Sequence, residues 1–284
     1  MKISLKKYVV VILAIFVFIP VIVFAHQPRI TSGDITIVKD PEISKAYYSQ
    51  LAGKPQVYRI SASAPFDLYV NVLVPDIQGQ LKDVSAVIIK NGNTAKPLAV
   101  LQGIDFNWEK FFEPFGYDTY WKGPEYKARA TAGEYEIRVS SSHNDSKYSL
   151  AIGEIEAFNI NESVNALKVI PELKQSFFNE SPMNFILSPF GWGYILIMYI
   201  LAFVVGFIYR LIAKRIVRKT GGTRKNIGIS DRLIRVMIGL ILLLWAITTS
   251  WNPILLFISG FCIFEAIFSW CALYHAIGKN TCPI

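Results

Sequence analysis

Long apolar runs lie at both ends of the chain. Between them lies a stretch in which apolar and polar residues alternate with a two-residue period. The runs occupy residues 9–24, 193–212, 236–251 and 253–270. A polar break at residues 248–253 joins the last two runs, and each internal run is about long enough to cross a bilayer as a helix. The pattern therefore predicts three transmembrane helices, one at residues 185–212 and a hairpin within residues 232–284.

The first apolar run follows three lysines and ends in Val-Phe-Ala at residues 23–25. A basic start, an apolar centre and a small residue near a cleavage point are the form of a secretory signal peptide, which we assign to residues 1–25. The alternative is an uncleaved anchor, because the run is nearly long enough to span a membrane. Both interpretations carry residue 26 and the segment after it across the membrane, since the lysine-rich end stays inside.

The two-residue period fills much of residues 26–153. At residues 57–62, for example, Tyr58 and Ile60 share one face and Arg59 lies on the other. Six or seven such runs are separated by Gly, Pro, Asn and Asp, and a helical period does not interrupt them. This spacing predicts an antiparallel, jelly-roll-like β-sandwich. The fold class is therefore a multidomain membrane protein, with an exported all-β sandwich followed by three transmembrane α-helices.

The last runs of this region also resemble a known domain type. Residues 132–139 and 148–153 carry a Gly-containing turn, a Tyr-x-Ile-x-Val strand and a final Tyr-x-Leu strand. They resemble the closing strands of bacterial pre-peptidase C-terminal type β-sandwich domains. The resemblance implies a non-catalytic accessory domain, of a kind suspected of binding sugars or proteins.

The β pattern ends before the first internal span. Within residues 154–184, Asn161-Glu162-Ser163 predicts the start of a short helix over residues 164–170, and Pro171 predicts a turn after it. We interpret this segment as an amphipathic collar beside the membrane, and a plain linker is the alternative.

Composition and charge place the chain in a membrane and orient it. The apolar fraction is 52% and the mean hydropathy is +0.37, both high for a soluble protein. The net charge of +8 divides into +3 for residues 1–25, −3 for residues 26–184 and +8 for residues 185–284. Basic residues that flank the apolar runs are Lys214, Arg215, Arg218, Lys219, Arg232 and Arg235. By the positive-inside rule, the loop at residues 213–231 and the C-terminus are cytoplasmic, and the β domain is extracytoplasmic.

The same distribution of charge decides between possible partners. Because the basic excess flanks membrane spans and does not coat a soluble domain, nucleic acid is not an expected partner. Binding of the basic loop to anionic lipid head groups is an alternative to simple orientation, and orientation alone explains its charge. The lipid bilayer is the expected partner of residues 185–284.

Both ends of the hairpin carry a specific motif. The beginning has Asn226, Gly228, Asp231, Arg232, Arg235 and Gly239, and the end has Cys271, Leu273, Tyr274, Gly278, Thr281 and Cys282. With this spacing, residues 225–284 resemble the YgaP-like inner-membrane transmembrane domain family. The chain departs from the family pattern with Ala272 in place of Pro and with Glu265 inside the second span.

The resemblance implies a two-helix hairpin of the bacterial plasma membrane that tends to self-associate. In that family the hairpin is often fused to a rhodanese sulfurtransferase domain. This chain has no cysteine before Cys262, so a persulfide-carrying role would fall on Cys271 and Cys282. The alternative is that these cysteines only pack.

An acid inside an apolar span is costly and usually faces a partner or a cavity, so Glu265 is a candidate functional residue. With a single such acid in three spans, we favour a structural or oligomeric role over an ion path. A second copy of the chain or an envelope protein is the expected partner.

The stretch at residues 105–122 is unusually aromatic, with eight rings in 18 positions. One interpretation is an exposed platform for a glycan, a peptide or the bilayer surface, with Trp108, Tyr117, Tyr120 and Trp121 as the ligand-binding residues. The alternative, which we favour, is a long loop folded over one open end of the sandwich, with its rings as a satellite core. The four carboxylates of this stretch lack the spacing of a calcium loop, so we expect neither a metal nor a cofactor.

A catalytic constellation is not evident in the sequence, since His143-Asn144-Asp145 fits a turn between strands. We therefore predict a membrane-anchored, extracytoplasmic binding protein without catalytic activity. The alternative function is a membrane sulfur relay that works with a separate sulfurtransferase through Cys271 and Cys282.

Overall fold

The computed structural model of the protein describes residues 26–216 and 225–282. The expected signal peptide, residues 1–25, lies outside the described residues, and so do Arg218 and Lys219 of the basic loop. The side chains of Lys214 and Arg215 are likewise not described, although both residues belong to a helix.

Eleven strands precede the first helix in the described part of the chain. They are β1 Gln27–Ile30, β2 Ile35–Ile37, β3 Lys45–Gln50, β4 Gln56–Ala62, β5 Phe66–Pro75, β6 Ser85–Lys90, β7 Ala99–Leu101, β8 Glu109–Glu113, β9 Asp118–Ala130, β10 Gly133–Ser140 and β11 Lys147–Ile152. They form a six-stranded sheet in the order β1-β3-β11-β5-β9-β8 and a five-stranded sheet in the order β2-β4-β10-β6-β7. The prediction of a β-sandwich is confirmed.

The core of the sandwich lies between the two sheets and follows the two-residue period. On β4, Tyr58 and Ile60 are buried and Arg59 is exposed. The phenol oxygens of Tyr58 and Tyr148 meet at 2.9 Å inside this core and join the two sheets. Burial of alternate apolar side chains from both sheets supplies the main stabilisation, since the described residues contain no disulfide.

The sandwich is not wholly antiparallel, which corrects the prediction. The short strand β1 pairs parallel with β3, and β2 pairs parallel with β4. Residues 31–34 separate β1 from β2, so the chain passes from one sheet to the other before its first long strand. This crossing is decided by pairing with distant strands, which the local sequence does not encode.

The aromatic stretch is also more regular than expected. Instead of a long loop, it contains β8 and the beginning of β9, which pair as an antiparallel hairpin at the edge of the six-stranded sheet. Tyr117 closes the turn with a positive φ of 62°. Aromatic side chains favour extended backbone, and pairing of β9 with β5 continues the ladder that β8 extends.

The helices of residues 26–216 and 225–282 are α1 Ile160–Ser176, a 3₁₀ helix at Pro182–Leu187, α2 Pro189–Ile216, α3 Ile229–Thr248, α4 Pro253–Phe268 and α5 Ala272–Ala276. We call α1 and the 3₁₀ helix together the collar. The collar contains one long helix and not a short helix followed by a turn, because Pro171 lies inside α1. An internal proline costs about 3 kcal/mol. Burial of Ile170, Leu173 and Lys174 on one side of α1 offsets that cost.

Among the described residues, one helix is long and apolar enough to cross a membrane by length and composition, at Pro189–Ala213 within α2. The apolar helix α4 is shorter, with 16 residues, and α3 carries Asp231, Arg232 and Arg235 in its first two turns. Helix α4 packs against both α2 and α3. Three transmembrane helices are therefore not confirmed, although the three helices pack together.

The collar joins the sandwich to these helices. Trp251, at the turn between α3 and α4, is buried, and its indole N–H donates to the carbonyl of Pro182 at 2.9 Å. The Ser188 hydroxyl donates to the carbonyl of Phe115 in the β8–β9 turn at 2.6 Å. The rings of Phe115 and Phe190 lie 4.3 Å apart. The sandwich thus meets the helical region through specific polar and aromatic contacts.

Candidate functional site

The structure does not bring the four predicted ligand-binding residues to one surface. Trp108 is buried in the sandwich core, where its indole N–H donates to the Gly103 carbonyl at 2.9 Å. Tyr120 is buried on the opposite face of the six-stranded sheet, and its ring packs edge-on against Phe178. Both rings contribute to stability where they lie.

The other two rings are more accessible. Trp121 is half-buried, with the Lys82 ammonium 3.7 Å from its ring centre, and its indole N–H donates to Asp76 at 2.8 Å. Tyr117 is exposed and packs edge-on against Phe112 at 5.0 Å. The aromatic stretch is therefore partly core and partly surface, and the predicted four-ring platform is not formed.

A different set of rings lines a cavity of about 200 Å³ on the outer face of the six-stranded sheet. We call it the sheet groove. Tyr48, Tyr69, Phe111 and Tyr120 supply its aromatic surface, from β3, β5, β8 and β9. A smaller space of about 40 Å³ shares Tyr48 and Tyr120 with it and is also lined by residues of α1. Only Tyr120 of this set was predicted to bind a ligand.

The polar groups of the sheet groove are held in place. Glu113 accepts hydrogen bonds from the backbone N–H groups of Phe115 and Gly116 at 2.7 and 2.6 Å, and burial raises the pKa of this carboxyl. The phenol oxygens of Tyr48 and Tyr120 lie 3.0 Å apart. The groove therefore offers aromatic faces together with oriented hydroxyl and carboxyl groups.

Lys122 and Tyr69, which both line the sheet groove, share one partner. The Lys122 ammonium forms an ion pair with Glu125 at 2.9 Å. The Tyr69 hydroxyl donates to the same carboxylate at 3.0 Å. Glu125 thereby orients both a ring and a cation of the groove, in the way that a supporting residue fixes a binding residue.

A buried ion pair connects this region to the collar. Lys174 of α1 lies 2.5 Å from Asp118 of β9, and both side chains are almost fully buried. The same ammonium donates to the Tyr117 carbonyl at 3.3 Å and lies 3.7 Å from Glu180. Burial raises the pKa of Asp118 to about 7, because the loss of hydration outweighs the opposing effect of Lys174. Asp118 pairs in register with Glu113, so the ion pair adjoins the groove.

The hairpin motif forms a second polar cluster, which joins the two ends of the hairpin. The Asn226 side chain accepts from the backbone N–H of Cys271 at 2.8 Å and donates to its carbonyl at 2.9 Å. The Thr281 hydroxyl bonds to the Asp231 carboxylate and accepts from the backbone N–H of Gly228 at 3.1 Å. The motif residues thus close the hairpin at the end opposite its turn.

Charged side chains of the α3–α4 hairpin bond to other groups of the same hairpin. Arg235 of α3 forms an ion pair with Glu265 of α4, and Glu265 is 5% exposed. Arg232 donates through Nε to the carbonyl of Ala266 at 2.7 Å. We predicted both arginines as membrane-interface residues, which stays a prediction, and the structure shows that both bond to α4. A charge inside the hairpin requires such a partner, so Glu265 is satisfied within one chain.

The two cysteines of the predicted sulfur chemistry differ in exposure. Cys271 is 2% exposed and lies between the bonds that Asn226 makes to its backbone, whereas Cys282 is partly exposed. The thiolate is the reactive form of cysteine, and access to it is required for group transfer. Sulfur transfer through Cys271 would therefore need the hairpin end to open.

In residues 26–216 and 225–282, no three His, Cys, Asp or Glu side chains come together as metal ligands. The ligand-binding groups that the sequence did not predict come from three strands: Tyr48 from β3, Tyr69 from β5, and Phe111 and Glu113 from β8. The available signal was the alternation of their strands, which places Tyr48 opposite the buried Tyr47 and hence on the outer face. Which outer positions form a groove depends on the order of strands in the sheet.

Residues 223–284 match the family model described as "Inner membrane protein YgaP-like, transmembrane domain". This chain is a membrane protein with a YgaP-like transmembrane domain. The match covers the whole polar cluster from Asn226 to Thr281 and confirms the resemblance that the hairpin motif indicated. The YgaP-like domain is attached to a β-sandwich through the collar and α2.

Three solved structures are similar to the β-sandwich. One is the pre-peptidase C-terminal domain of a collagenase from Bacillus anthracis, at 11% identity and a TM-score of 0.28, covering 43% of this chain and 96% of that chain. It is of the type that the closing strands resemble.

A second is a β-glucosidase from Paenibacillus barengoltzii, at 12% identity and a TM-score of 0.22, covering 45% of this chain and 13% of that chain. A third is CorA of Methylomicrobium album BG8, described as a surface-associated copper-binding protein, at 7% identity and a TM-score of 0.22, covering 44% of this chain and 98% of that chain. The search of curated proteins finds no match. We draw no functional argument from similarities this distant.

Proposed function

We propose that this protein is a membrane-anchored binding protein without catalytic activity, which takes a single sugar unit in the sheet groove on the extracytoplasmic side of a bacterial plasma membrane. The observation that carries the proposal is the groove itself, with four aromatic rings around hydroxyl and carboxyl groups that have fixed positions. The YgaP-like hairpin and α2 serve as the anchor.

The chemistry of the groove suits a sugar. The C–H faces of a sugar ring pack on aromatic faces, and its hydroxyls both donate and accept hydrogen bonds. Tyr48 and Tyr120 present hydroxyl groups, and Glu113 presents a carboxyl whose oxygens are oriented by two backbone N–H groups. A ligand that combines an apolar face with several hydroxyls can satisfy both kinds of surface.

The size of the groove supports the same ligand class. Its volume of about 200 Å³ corresponds to roughly seven waters at ~30 Å³ each. That space holds one sugar ring or the end of a longer glycan. Small-molecule sites are usually concave, mostly apolar and provided with a few placed polar groups, as this one is.

The charge distribution supports the proposed orientation. The sandwich precedes α2, and the cluster of basic residues at positions 210–225 follows the apolar part of α2. Since positive charge is retained on the cytoplasmic side, the sandwich would lie outside. A site there would meet glycans of the cell envelope.

The test uses the full-length protein in lipid nanodiscs, titrated with single sugars and cell-wall fragments by calorimetry. Phe111→Ala removes an exposed ring from the groove, and Phe112→Ala removes the next ring, which points to the other face of β8. Loss of one packed ring corresponds to about 0.5–1.5 kcal/mol, so we expect binding by Phe111→Ala to weaken roughly two- to tenfold. Phe112→Ala should bind like the unmodified protein.

Two results would contradict the proposal. One is that none of the sugars binds to the unmodified protein. The other is that both substitutions weaken binding equally. That outcome would show an effect on the fold of the β8–β9 hairpin and not a contact in the groove.

A further inference from the structure

The turn of the β8–β9 hairpin lies beside the first turn of the apolar helix α2. Phe115 in that turn packs on Phe190, with ring centres 4.3 Å apart, and the Ser188 hydroxyl donates to the Phe115 carbonyl. The apolar segment begins at the next residue, Pro189. The β8–β9 turn and the first turn of α2 therefore lie at the same height along the axis of α2.

The position of this level relative to a bilayer follows from the length of the helix. Arg210 is the first charged residue of α2, and its guanidinium marks the far boundary of the apolar part. The 20 helical steps from Phe190 to Arg210 rise about 30 Å at ~1.5 Å each, which equals the hydrocarbon thickness of a typical bilayer. Phe190, and the hairpin turn that packs on it, therefore lie at the near boundary of the hydrocarbon.

Four large exposed apolar side chains lie at or beside this boundary. Phe112, Tyr117, Leu187 and Trp192 are 48%, 44%, 56% and 59% exposed. The first three line a shared cavity of about 260 Å³ together with Asn184. We call these four residues the membrane rim. Tyrosine and tryptophan at such a depth are typical of the interfacial belt of membrane proteins.

We propose that the membrane rim inserts into the interface between head groups and acyl chains, so that the edge hairpin of the β-sandwich is itself a membrane-contacting element. The occupant of this surface is the bilayer, because the surface is continuous with the span that enters the same bilayer. The neighbouring carboxylates have partners, Lys110 for Asp76 at 2.9 Å and Lys174 for Glu180 at 3.7 Å. An unpaired charge from these two groups would therefore not be buried in the interface.

The two faces of β8 then have separate roles. Phe111 lines the sheet groove, and Phe112 belongs to the membrane rim. Adjacent residues of a strand point to opposite faces, so one strand lies between a ligand site and the bilayer. The inference on the membrane rim depends on the height of its residues relative to the bilayer and on their exposure. It does not require that the groove binds a sugar.

The test places the photoreactive residue p-benzoylphenylalanine at single positions of the full-length protein in nanodiscs of phosphatidylethanolamine and phosphatidylglycerol. The rim positions are Phe112 and Tyr117, and Trp192 in the span is the positive control. Ile37 and Val100 are matched negative controls, because both are more than half exposed but lie on the edge strands of the five-stranded sheet. Circular dichroism and gel filtration confirm that each variant is folded.

After irradiation, mass spectrometry measures the fraction of protein that has gained one lipid. We expect lipid adducts at Phe112, Tyr117 and Trp192, and none at Ile37 and Val100. Adducts at Trp192 without adducts at Phe112 and Tyr117 would overturn the proposal. So would cross-links from Phe112 or Tyr117 to a second copy or to another segment of the same chain, since the rim would then be covered by protein.

Discussion

At the scale of single residues, the least expected feature is the buried pair of Asp118 and Lys174. Both side chains lose their hydration, and the pair links a β-strand with a helix 56 positions further along the chain. Replacing a buried ion pair by apolar residues is often neutral, but removing one partner leaves an uncompensated charge. The pair therefore fixes how α1 lies on the sheet more than it adds stability.

The raised pKa of Asp118 predicts that the free energy of unfolding depends on pH. An unfolded aspartate has a pKa of about 3.9, and burial raises the folded value to about 7. The folded state thus holds the proton more tightly, so the contribution of this group is complete below about pH 4 and is lost as the pH rises through about 7. We expect the free energy of unfolding of the sandwich to fall between about pH 5 and about pH 8, by about 1–3 kcal/mol from this group.

Urea unfolding of the full-length protein across that pH range measures the effect. Asp118→Asn cannot ionise, so its stability should be lower and should depend less on pH over the same interval. Glu113, whose pKa burial also raises, contributes to the dependence that remains. Asp67→Asn, at an exposed position of β5, is the control and should keep the original pH dependence. An unchanged pH dependence in Asp118→Asn would contradict the assignment.

A second residue-scale prediction concerns Glu265 and Arg235. Glu265→Gln leaves the Arg235 guanidinium largely buried without its counter-charge. Breaking a buried pair on one side costs about 3–5 kcal/mol, and the partial exposure of Arg235 reduces this to about 2–4 kcal/mol. The thermal unfolding midpoint of the YgaP-like hairpin in detergent should fall accordingly.

The double variant Arg235→Met with Glu265→Leu should recover most of that loss, because it removes both charges together. Disruption of the exposed pair of Lys54 and Asp34 is the control and should have little effect. If Glu265→Gln matched that control, Glu265 would not be held by Arg235, and a role in an ion path or between chains would become the better interpretation.

At the scale of elements, the collar is the point where the sandwich and the helices meet. Ala166 and Ile170 of α1 pack with Ile247 and Trp251 of the hairpin turn region, and Leu173 packs on the sheet. One amphipathic helix therefore contributes to two cores. The position of α1 depends on contacts at both of its faces. A change at the turn between α3 and α4 should therefore alter the stability of the collar.

Trp251→Phe tests this connection. It removes the hydrogen bond to the Pro182 carbonyl and leaves an aromatic ring in place, a loss of about 1 kcal/mol. Amide hydrogen exchange of α1 and of the 3₁₀ helix should become about fivefold faster, if these segments open locally. Trp245→Phe, six residues earlier in the chain and exposed, is the control. Equal exchange in both variants would mean that the turn does not hold the collar.

The closed end of the hairpin gives a prediction for the thiols. Cys271 is buried behind the bonds from Asn226, and Cys282 is partly exposed. A maleimide reagent should therefore modify Cys282 in the folded protein and leave Cys271 unmodified. Asn226→Ala should make Cys271 reactive, which mass spectrometry of peptides would show.

The same assay examines the sulfur relay that remains the alternative function. Incubation with thiosulfate and a sulfurtransferase should leave Cys271 without a persulfide if the hairpin end stays closed. A persulfide on Cys271 in the unmodified protein would contradict that expectation and would favour the relay over an anchoring role.

At the scale of the whole molecule, the β-sandwich, the collar and the helices form a continuous chain of contacts from the sheet groove to the YgaP-like hairpin. The groove shares Glu113 with the hairpin β8–β9, whose turn contacts α2 through Phe115. A ligand in the groove and the bilayer at the membrane rim would therefore act on the same edge of the sandwich. This arrangement suits a receptor that holds its ligand close to the membrane surface.

The sequence by itself determined the features that local pattern encodes. The two-residue period predicted a sandwich, because alternate burial is a property of each strand taken alone. The apolar run at residues 193–212 predicted a span, and the motif from Asn226 to Cys282 identified the YgaP-like domain. Each of these signals is contained in a short segment and does not depend on what that segment contacts.

The tertiary structure decided which side chains meet. It placed Trp108 in the core between the two sheets and Tyr120 on the outer face of the six-stranded sheet, because strand order and not composition sets burial. It paired Arg235 with Glu265 and placed Phe111 beside Tyr48 in the sheet groove. These contacts join residues that are far apart in the chain. They follow from the order of the strands and the packing of the helices, which no local pattern specifies.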